Sequence, residues 1–249
     1  MFDREAIKAK LPPPAIKAFK ATHSGLKRFL RALSYPILPR LAHEILALER
    51  SKDPNSLGKL AEFPELKDSA WGGLGTLGYA LVRRYKPKVI VELGSHMGFS
   101  ALAMGLALRD LGEGGKLYAI DTWQGDPQAT FYGDEVYETF LKRGSQLGLE
   151  AIITPLRMLF SEGVAHVTEP VDLLHIDGLH TYEAVSQDLA DFGPKVRPGG
   201  IILFHDVDTW FPDMKAFWRE ISRKYESHLV PHTHGLGVIR VPEGGLQLK

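Results

Sequence analysis

The sequence predicts an α/β protein: a doubly wound, mostly parallel sheet with an antiparallel C-terminal strand and a helical N-terminal extension. Short apolar, β-branched runs alternate with stretches of helical length from Lys88 onward. The first run, Lys88 to Leu93, passes through Gly94 and Gly98 into an apolar helix beginning at Ser100. Three of the runs close on an acidic residue, Asp121, Asp177 and Asp206. In open α/β sheets the ligand crevice lies beyond the carboxyl ends of the strands.

The N-terminal stretch is locally basic, and Ile16, Phe19, His23, Leu26, Leu30 and Leu33 recur three and four apart. That spacing is one apolar stripe of a helix, expected to pack on its own domain or on a twin in a homodimer. Contact with an anionic membrane surface is the alternative. Pro36 opens a second helix with Leu41, Ile45 and Leu48 on one face, and residues 51–67 read as loop around Pro54, Gly58 and Pro64. Trp71 to Gly75 leads into a helix ending near Arg84. Strands are then expected at 88–93, 116–121, 151–154, 171–177 and 201–206, with helices at 100–108, 136–147, 162–167, 182–192 and 214–225. Residues 228–231 and 238–241 are expected to close the sheet as an antiparallel pair. The division expected is an extension or lid over 1–70 and a ligand-binding domain over 71–249.

A chain of 249 residues buries a substantial core, and its 44% hydrophobic and 24% charged residues are those of a soluble globular protein. Thirty basic residues balance thirty acidic ones, so no overall field points to nucleic acid. The absence of cysteine excludes disulfides, thiolate metal sites and cysteine nucleophiles. No apolar run has transmembrane length, and charges within the first five residues argue against a signal peptide, so a cytoplasmic location is expected.

Glycines at 94 and 98 let backbone approach a ligand closely, and the following helix N-terminus offers free N–H groups. An acid closing the second strand, Asp121, is placed to accept from ribose hydroxyls. A dinucleotide fingerprint GxGxxG would need glycine at position 96, where His96 stands. The turn reads Glu92-Leu93-Gly94-Ser95-His96-Met97-Gly98, the pattern ExGxxxG. It resembles motif I of the class I S-adenosylmethionine-dependent methyltransferases, especially the catechol-type O-methyltransferases. The segments Asp121-Thr122-Trp123-Gln124-Gly125-Asp126, His175-Ile176-Asp177-Gly178-Leu179-His180-Thr181-Tyr182 and Phe204-His205-Asp206-Val207 are similar to a bacterial group associated with glycosylation and natural-product pathways. The resemblance spans about residues 70–240. It implies a Rossmann-like methyltransferase sheet, S-adenosylmethionine as cofactor, and Glu92, Gly94, Ser95, Gly98, Asp121, Thr122 and Trp123 around that cofactor.

The strands ending at Asp177 and Asp206 are expected to be neighbours, which sets the two carboxylates about 5 Å apart. Such a pair shares a proton or holds a cation, and oxygen ligands select a hard ion such as Mg²⁺, Ca²⁺ or Mn²⁺. His180, three residues past Asp177, is placed to take a proton from an acceptor hydroxyl, with a helix N-terminal bond to backbone as its alternative role. The Asp-x-x-His spacing is similar to metal-dependent macrolide sugar O-methyltransferases, which implies Asp177 as a metal ligand and His180 as base. Catechol-type enzymes follow the last strand's Asp with a further oxygen ligand. Here Val207 stands in that place, with Asp208, His205 and Asp126 as substitutes.

His175, alternating with Asp177 on a buried strand, reads as a core histidine, and His96 as part of the cofactor turn. His232 and His234 read as a hairpin rim. Trp123 and Phe131 read as walls of the pocket or as loop anchors. The expected function is methyl transfer from S-adenosylmethionine to a hydroxyl of a small acceptor, a glycosyl group or a polyphenol leading. The rivals are a nicotinamide-dependent oxidoreductase, which the missing GxGxxG argues against, and a non-catalytic scaffold docking through the basic arm.

Overall fold

The computed structural model describes residues 40–50, 55–66, 69–232 and 234–248, so the apolar stripe expected over 16–33 lies outside the described residues. Its strands are β1 (Val89–Leu93), β2 (Lys116–Asp121), β3 (Gly125–Asp126), β4 (Thr130–Phe131), β5 (Ile153–Arg157), β6 (Val171–Ile176), β7 (Val196–Phe204), β8 (Ser227–Val230) and β9 (Leu236–Arg240). The longer helices are α1 (Arg40–Leu48), α2 (Gly75–Tyr85), α3 (Phe99–Leu111), α4 (Asp134–Gln146), α5 (Tyr182–Phe192) and α6 (Pro212–Lys224). No described helix is long and apolar enough to cross a membrane.

The main sheet has the order β5-β2-β1-β6-β7-β9-β8. It is parallel from β5 through β7, and β9 and β8 close it antiparallel. Strand β1 is buried along its whole length, as a central parallel strand must be. The chain winds one way from β1 to β2 and the other way to β6, so the switch point lies at the carboxyl ends of β1 and β6.

Side chains alternate between the two faces of each strand. Ile90, Leu173, Ile201 and Leu203 pack on the side of α1, α2 and α3, whereas Val91, Leu174, Ile202 and Phe204 pack on the side of α5 and α6. The same period sends Glu92, His175 and His205 to the first face, where buried polar groups collect at the top of the layer.

Three expectations about elements are corrected. Residues 55–66 form helical turns (Asn55–Gly58, Lys59–Glu62 and Pro64–Leu66) because Leu57, Leu60, Phe63 and Leu66 anchor them in the core shared by α2 and α3. Strand β5 begins at Ile153, later than expected, because the N–H groups of Ile152 and Ile153 both close the turn after α4 by donating to Leu149 O, at 2.9 and 2.8 Å. Strand β7 starts at Val196 rather than 201, since Gly199 and Gly200 exchange backbone hydrogen bonds with Val241.

Helix α1 is fastened to the sheet's antiparallel edge. Glu226 Oε1 accepts from the backbone N–H of Leu41 at 2.7 Å, and Glu44 Oε2 accepts from Tyr85 Oη and Arg240 Nη2, each at 2.6 Å. Burial alone would raise the Glu44 pKa, but the bonds from Tyr85 and Arg240 outweigh it and bring it to about 2. A folded-state pKa below the unfolded value stabilises in full above about 4.5, and that stability is lost as pH falls toward 2. Glu44→Gln is therefore expected to cost about 1–2 kcal/mol at pH 7, discounted for solvent screening, and almost nothing near pH 2. Urea titrations at the two pH values check this, and an equal loss at both would refute it.

Candidate active site

The turn after β1 is shaped by two left-handed glycines, Gly94 (φ 88°) and Gly98 (φ 91°). A methyl group on Gly94 would collide with the carbonyl oxygen of Asp177, which crosses directly over the turn, and one on Gly98 would collide with the ring of Phe140. The carboxylate of Asp121 organises this turn: Oδ2 accepts from the backbone N–H groups of Ser95 and His96, each at 2.9 Å, and Oδ1 from that of Trp123 at 2.7 Å. Asp121 still lines the cleft, so it serves the turn and faces the ligand space at once.

Glu92 and Trp123 do not line the cleft. Glu92 is fully buried beneath the turn, accepting from Ser95 Oγ at 2.6 Å and facing His175 Nδ1 at 3.0 Å. Any influence of Glu92 on a ligand passes through Ser95. Trp123 is wholly buried against Tyr137 and Phe140, and its Nε1 donates to His96 O at 2.7 Å, so it anchors the loop rather than walling the pocket. Phe131 is 74% exposed on the hairpin and Tyr132 lines the cleft in its stead, tilted against the His96 ring. Around the cleft the backbone is left-handed at several non-glycine residues, among them His96, Trp123 and Asp206.

The polar centre lies across the cleft. The register pairs Ile176 with Phe204, so the residue opposite Asp177 is His205, not Asp206. Asp206 returns to the centre because its left-handed backbone (φ 58°) turns the chain at the strand end. As a result His205 Nδ1 sits 3.1 Å from both Asp177 Oδ1 and Asp206 Oδ2. His180 Nε2 lies 2.8 Å from Asp206 Oδ2 and 4.0 Å from Asp177 Oδ1. The His180 ring stacks on Phe211 at 4.4 Å, and Trp71 covers His175 edge-on at 4.8 Å.

Burial would discharge these imidazoles, but the carboxylates prevail. The His205 pKa is pushed up to about 10, chiefly by the charge of Asp177, and that of His180 is raised by Asp206. Both carboxyl groups are held below their ordinary range despite burial, Asp177 by His205 and Asp206 by His180 and His205. The two carboxylates thus lie against the protonated imidazole of His205, a third arrangement beside the shared proton and the bound cation expected.

Ligand atoms of Asp177, His180 and Asp206 all lie within 4.8 Å of one another, a set that can surround one cation. His180 Nε2 is buried and, despite its closeness to Asp206, aligned for no hydrogen bond, which also fits a shared cation. The residues present therefore fit a divalent ion. Val207 points into the core, Asp208 is exposed toward Lys215 and Asp126 holds a backbone turn, so of these residues His180 is the one placed to join the two carboxylates around an ion. A mixed N and O set suits Mn²⁺ or Zn²⁺ as well as Mg²⁺. His234 brings a second imidazole beside His205 and Asp206.

One cleft of about 600 Å³ joins the two halves. Gly94, Ser95, Gly98, Asp121 and Thr122 line one side and Asp177, His180, His205 and Asp206 the other, with Glu65, Ser69 and Trp71 contributed from before β1. His205 was read from sequence as a substitute ligand or a core histidine, because its central place depends on register rather than on any local signal.

Residues 91–207 match a family model described as a methyltransferase domain. A protein of Sinorhizobium fredii, described as the uncharacterized protein y4gI, is 35% identical over 197 residues. The match takes in 76% of this chain and 21% of that protein, so the chain spans about a fifth of the curated relative's length. Among solved structures, the Podospora anserina methyltransferase PaMTH1, bound to SAH, aligns with a TM-score of 0.58 at 17% identity, over 77% of this chain and 90% of that one. The O-methyltransferase TomG of Streptomyces achromogenes, solved with SAM, aligns at 0.56 and 18% identity, over 78% and 92%. The Bacillus cereus O-methyltransferase, solved with SAH, aligns at 0.55 and 14%, over 82% and 99%. At such identities the likeness is one of fold.

Proposed function

We propose that this chain is a class I S-adenosylmethionine-dependent methyltransferase that transfers a methyl group to a hydroxyl of a small acceptor, a reading supported by the match of residues 91–207 to a methyltransferase domain. The acceptor is held over Asp177, His180 and Asp206, and a glycosyl group or a polyphenol suits it. The observation that carries this reading is the single cleft shared by the glycine turn and the Asp–His cluster.

S-adenosylmethionine supplies an electrophilic methyl on a sulfonium sulfur, which keeps the electron pair of the broken C–S bond. Gly94, Ser95 and Gly98 present backbone to it, and Asp121 and Thr122 flank the ribose. Glu92 and Trp123 keep that turn in shape from below. His180 Nε2 takes the acceptor's hydroxyl proton as the oxygen forms its bond to carbon. A divalent ion held by the carboxylates of Asp177 and Asp206 would lower the hydroxyl's pKa and leave His180 Nε2 for that proton. Asp177 and Asp206 orient the acceptor for in-line attack, and orientation supplies much of the rate.

Thermal shift separates this reading from its rival. Saturation by the demethylated cofactor at about 100 times Kd stabilises by about 2.7 kcal/mol, a rise of about 5–10 °C in Tm for a chain of this size. A shift with NAD(P) and none with either form of the sulfonium cofactor would refute the proposal. Binding without transfer to any acceptor in a broad hydroxyl panel, with Mg²⁺, Mn²⁺ and no metal, would favour the scaffold reading instead.

A further inference from the structure

The turn between β7 and α6 is braced along its length and displays one large side chain. Val207 packs into the core and Thr209 is buried. Thr209 Oγ1 donates to Asp206 O at 3.2 Å and accepts from the Phe211 N–H at 3.1 Å. The Asp208 N–H donates to His234 O at 2.9 Å, which ties the turn to the segment joining β8 and β9. Trp210, between these anchors, is 74% exposed. Its neighbours fasten the turn, so the indole adds little stability and instead presents a rigid, flat face at small cost in entropy. Trp210 stands just outside the cleft, two ring contacts from the Asp–His cluster on either side. Its ring lies 5.4 Å from that of Phe211, which stacks on His180 at 4.4 Å. It also lies 5.4 Å from the ring of His234, which is 6.0 Å from that of His205. His180 and His205 flank Asp206 and line the cleft. The indole therefore continues the acceptor half outward.

We propose that Trp210 is the floor of an outer subsite, which holds a second sugar ring of the acceptor while the ring to be methylated lies over Asp177, His180 and Asp206. This deepens the proposed function by making the acceptor a glycoside of two or more rings, and it rests on that function. Trp210 meets Phe211 at 43° and His234 at 74°, so neither ring lies flat on the indole and one of its faces stays open. Polar groups share the same turn and the helix after it: the Asp208 carboxylate is 57% exposed and lies 3.9 Å from Lys215 Nζ. A sugar ring suits such a place twice over, with its C–H face on the indole and its hydroxyls bonding to carboxylate and ammonium. A second aryl ring would use the indole alone.

Isothermal titration of the full chain tests this, with and without saturating demethylated cofactor. The probes are methyl glycosides of a panel of hexoses and deoxyhexoses, the disaccharides built from the same units, catechol, and the two-ring polyphenol resveratrol. Disaccharides that bind are expected to do so about tenfold more tightly than their single units. Trp210→Ala is expected to erase that gain, and Trp210→Phe, which keeps a flat ring, to retain most of it. A merely structural role for Trp210 would weaken one-ring and two-ring sugars alike. Such an equal loss, the lack of any disaccharide that binds more tightly than its unit, or a loss confined to resveratrol overturns the proposal. Failure of the methyltransferase reading shows separately, as sugar binding that depends on Trp210 in a chain that does not bind the demethylated cofactor.

Discussion

Gly94→Ala is expected to abolish binding of the demethylated cofactor and to cost about 3–5 kcal/mol of stability. Two effects add. The backbone at Gly94 is left-handed (φ 88°), which costs an L-residue about 1–2 kcal/mol. The new methyl also meets the carbonyl oxygen of Asp177, a backbone atom fixed by its neighbours: the Asp177 N–H donates to Leu93 O at 2.9 Å and the His205 N–H to Ile176 O at 3.1 Å. Relief would displace the end of β6, carrying the Asp177 carboxylate with it, so donor and acceptor halves fail together. Gly112→Ala is the control, because Gly112 is also left-handed (φ 66°) but has open space where the methyl would go. It should lose about 1–2 kcal/mol from conformation alone and keep donor affinity. Isothermal titration and chemical denaturation of both variants check this. Affinity of Gly94→Ala within threefold of wild type would show that the turn tolerates what the geometry says it cannot.

That collision also marks the boundary of what the sequence makes legible. The β1–turn–α3 unit and the strand ends at Asp121 and Asp177 rest on signals within a dozen residues: β-branched runs, glycine spacing and the period of the following helix. The switch point and the pairing of β6 with β7 follow from alternation. What escapes is set by register and depth. Trp123 reads equally as a wall or an anchor until its burial behind His96 and Phe140 is seen. His205 takes the place opposite Asp177 through the register of β6 against β7, and Asp206 returns to the centre through its positive φ, neither of which has a local pattern. The helical turns at 55–66 are hidden in part by Pro64, which starts a turn here instead of breaking one.

Asp206→Asn is expected to reduce methyl transfer by about 10²- to 10⁴-fold while donor affinity changes by less than about twofold. Asparagine is the informative substitution because it tolerates the left-handed backbone at 206 (φ 58°), so the charge is removed without adding strain. Its loss strips His180 of the carboxylate 2.8 Å from Nε2 and leaves His205 with Asp177 alone. The donor half, built on Gly94, Gly98 and Asp121, is untouched. The same variant carries a pH signature that needs no acceptor. The folded-state pKa of His205, about 10, lies above the ordinary histidine value of 6.5. Its stabilisation is therefore complete below pH 6.5 and lost as pH rises toward 10. In the presence of a chelator, the wild type should lose a few kcal/mol (about 2–4) across that interval, and Asp206→Asn distinctly less, because one of the two carboxylates that raise the His205 pKa is gone. Urea midpoints from pH 6 to 10 measure the slope. Equal slopes in the two proteins would mean that His205 is not held between two carboxylates in solution, and full methyl transfer by Asp206→Asn would remove the cluster from the chemistry altogether.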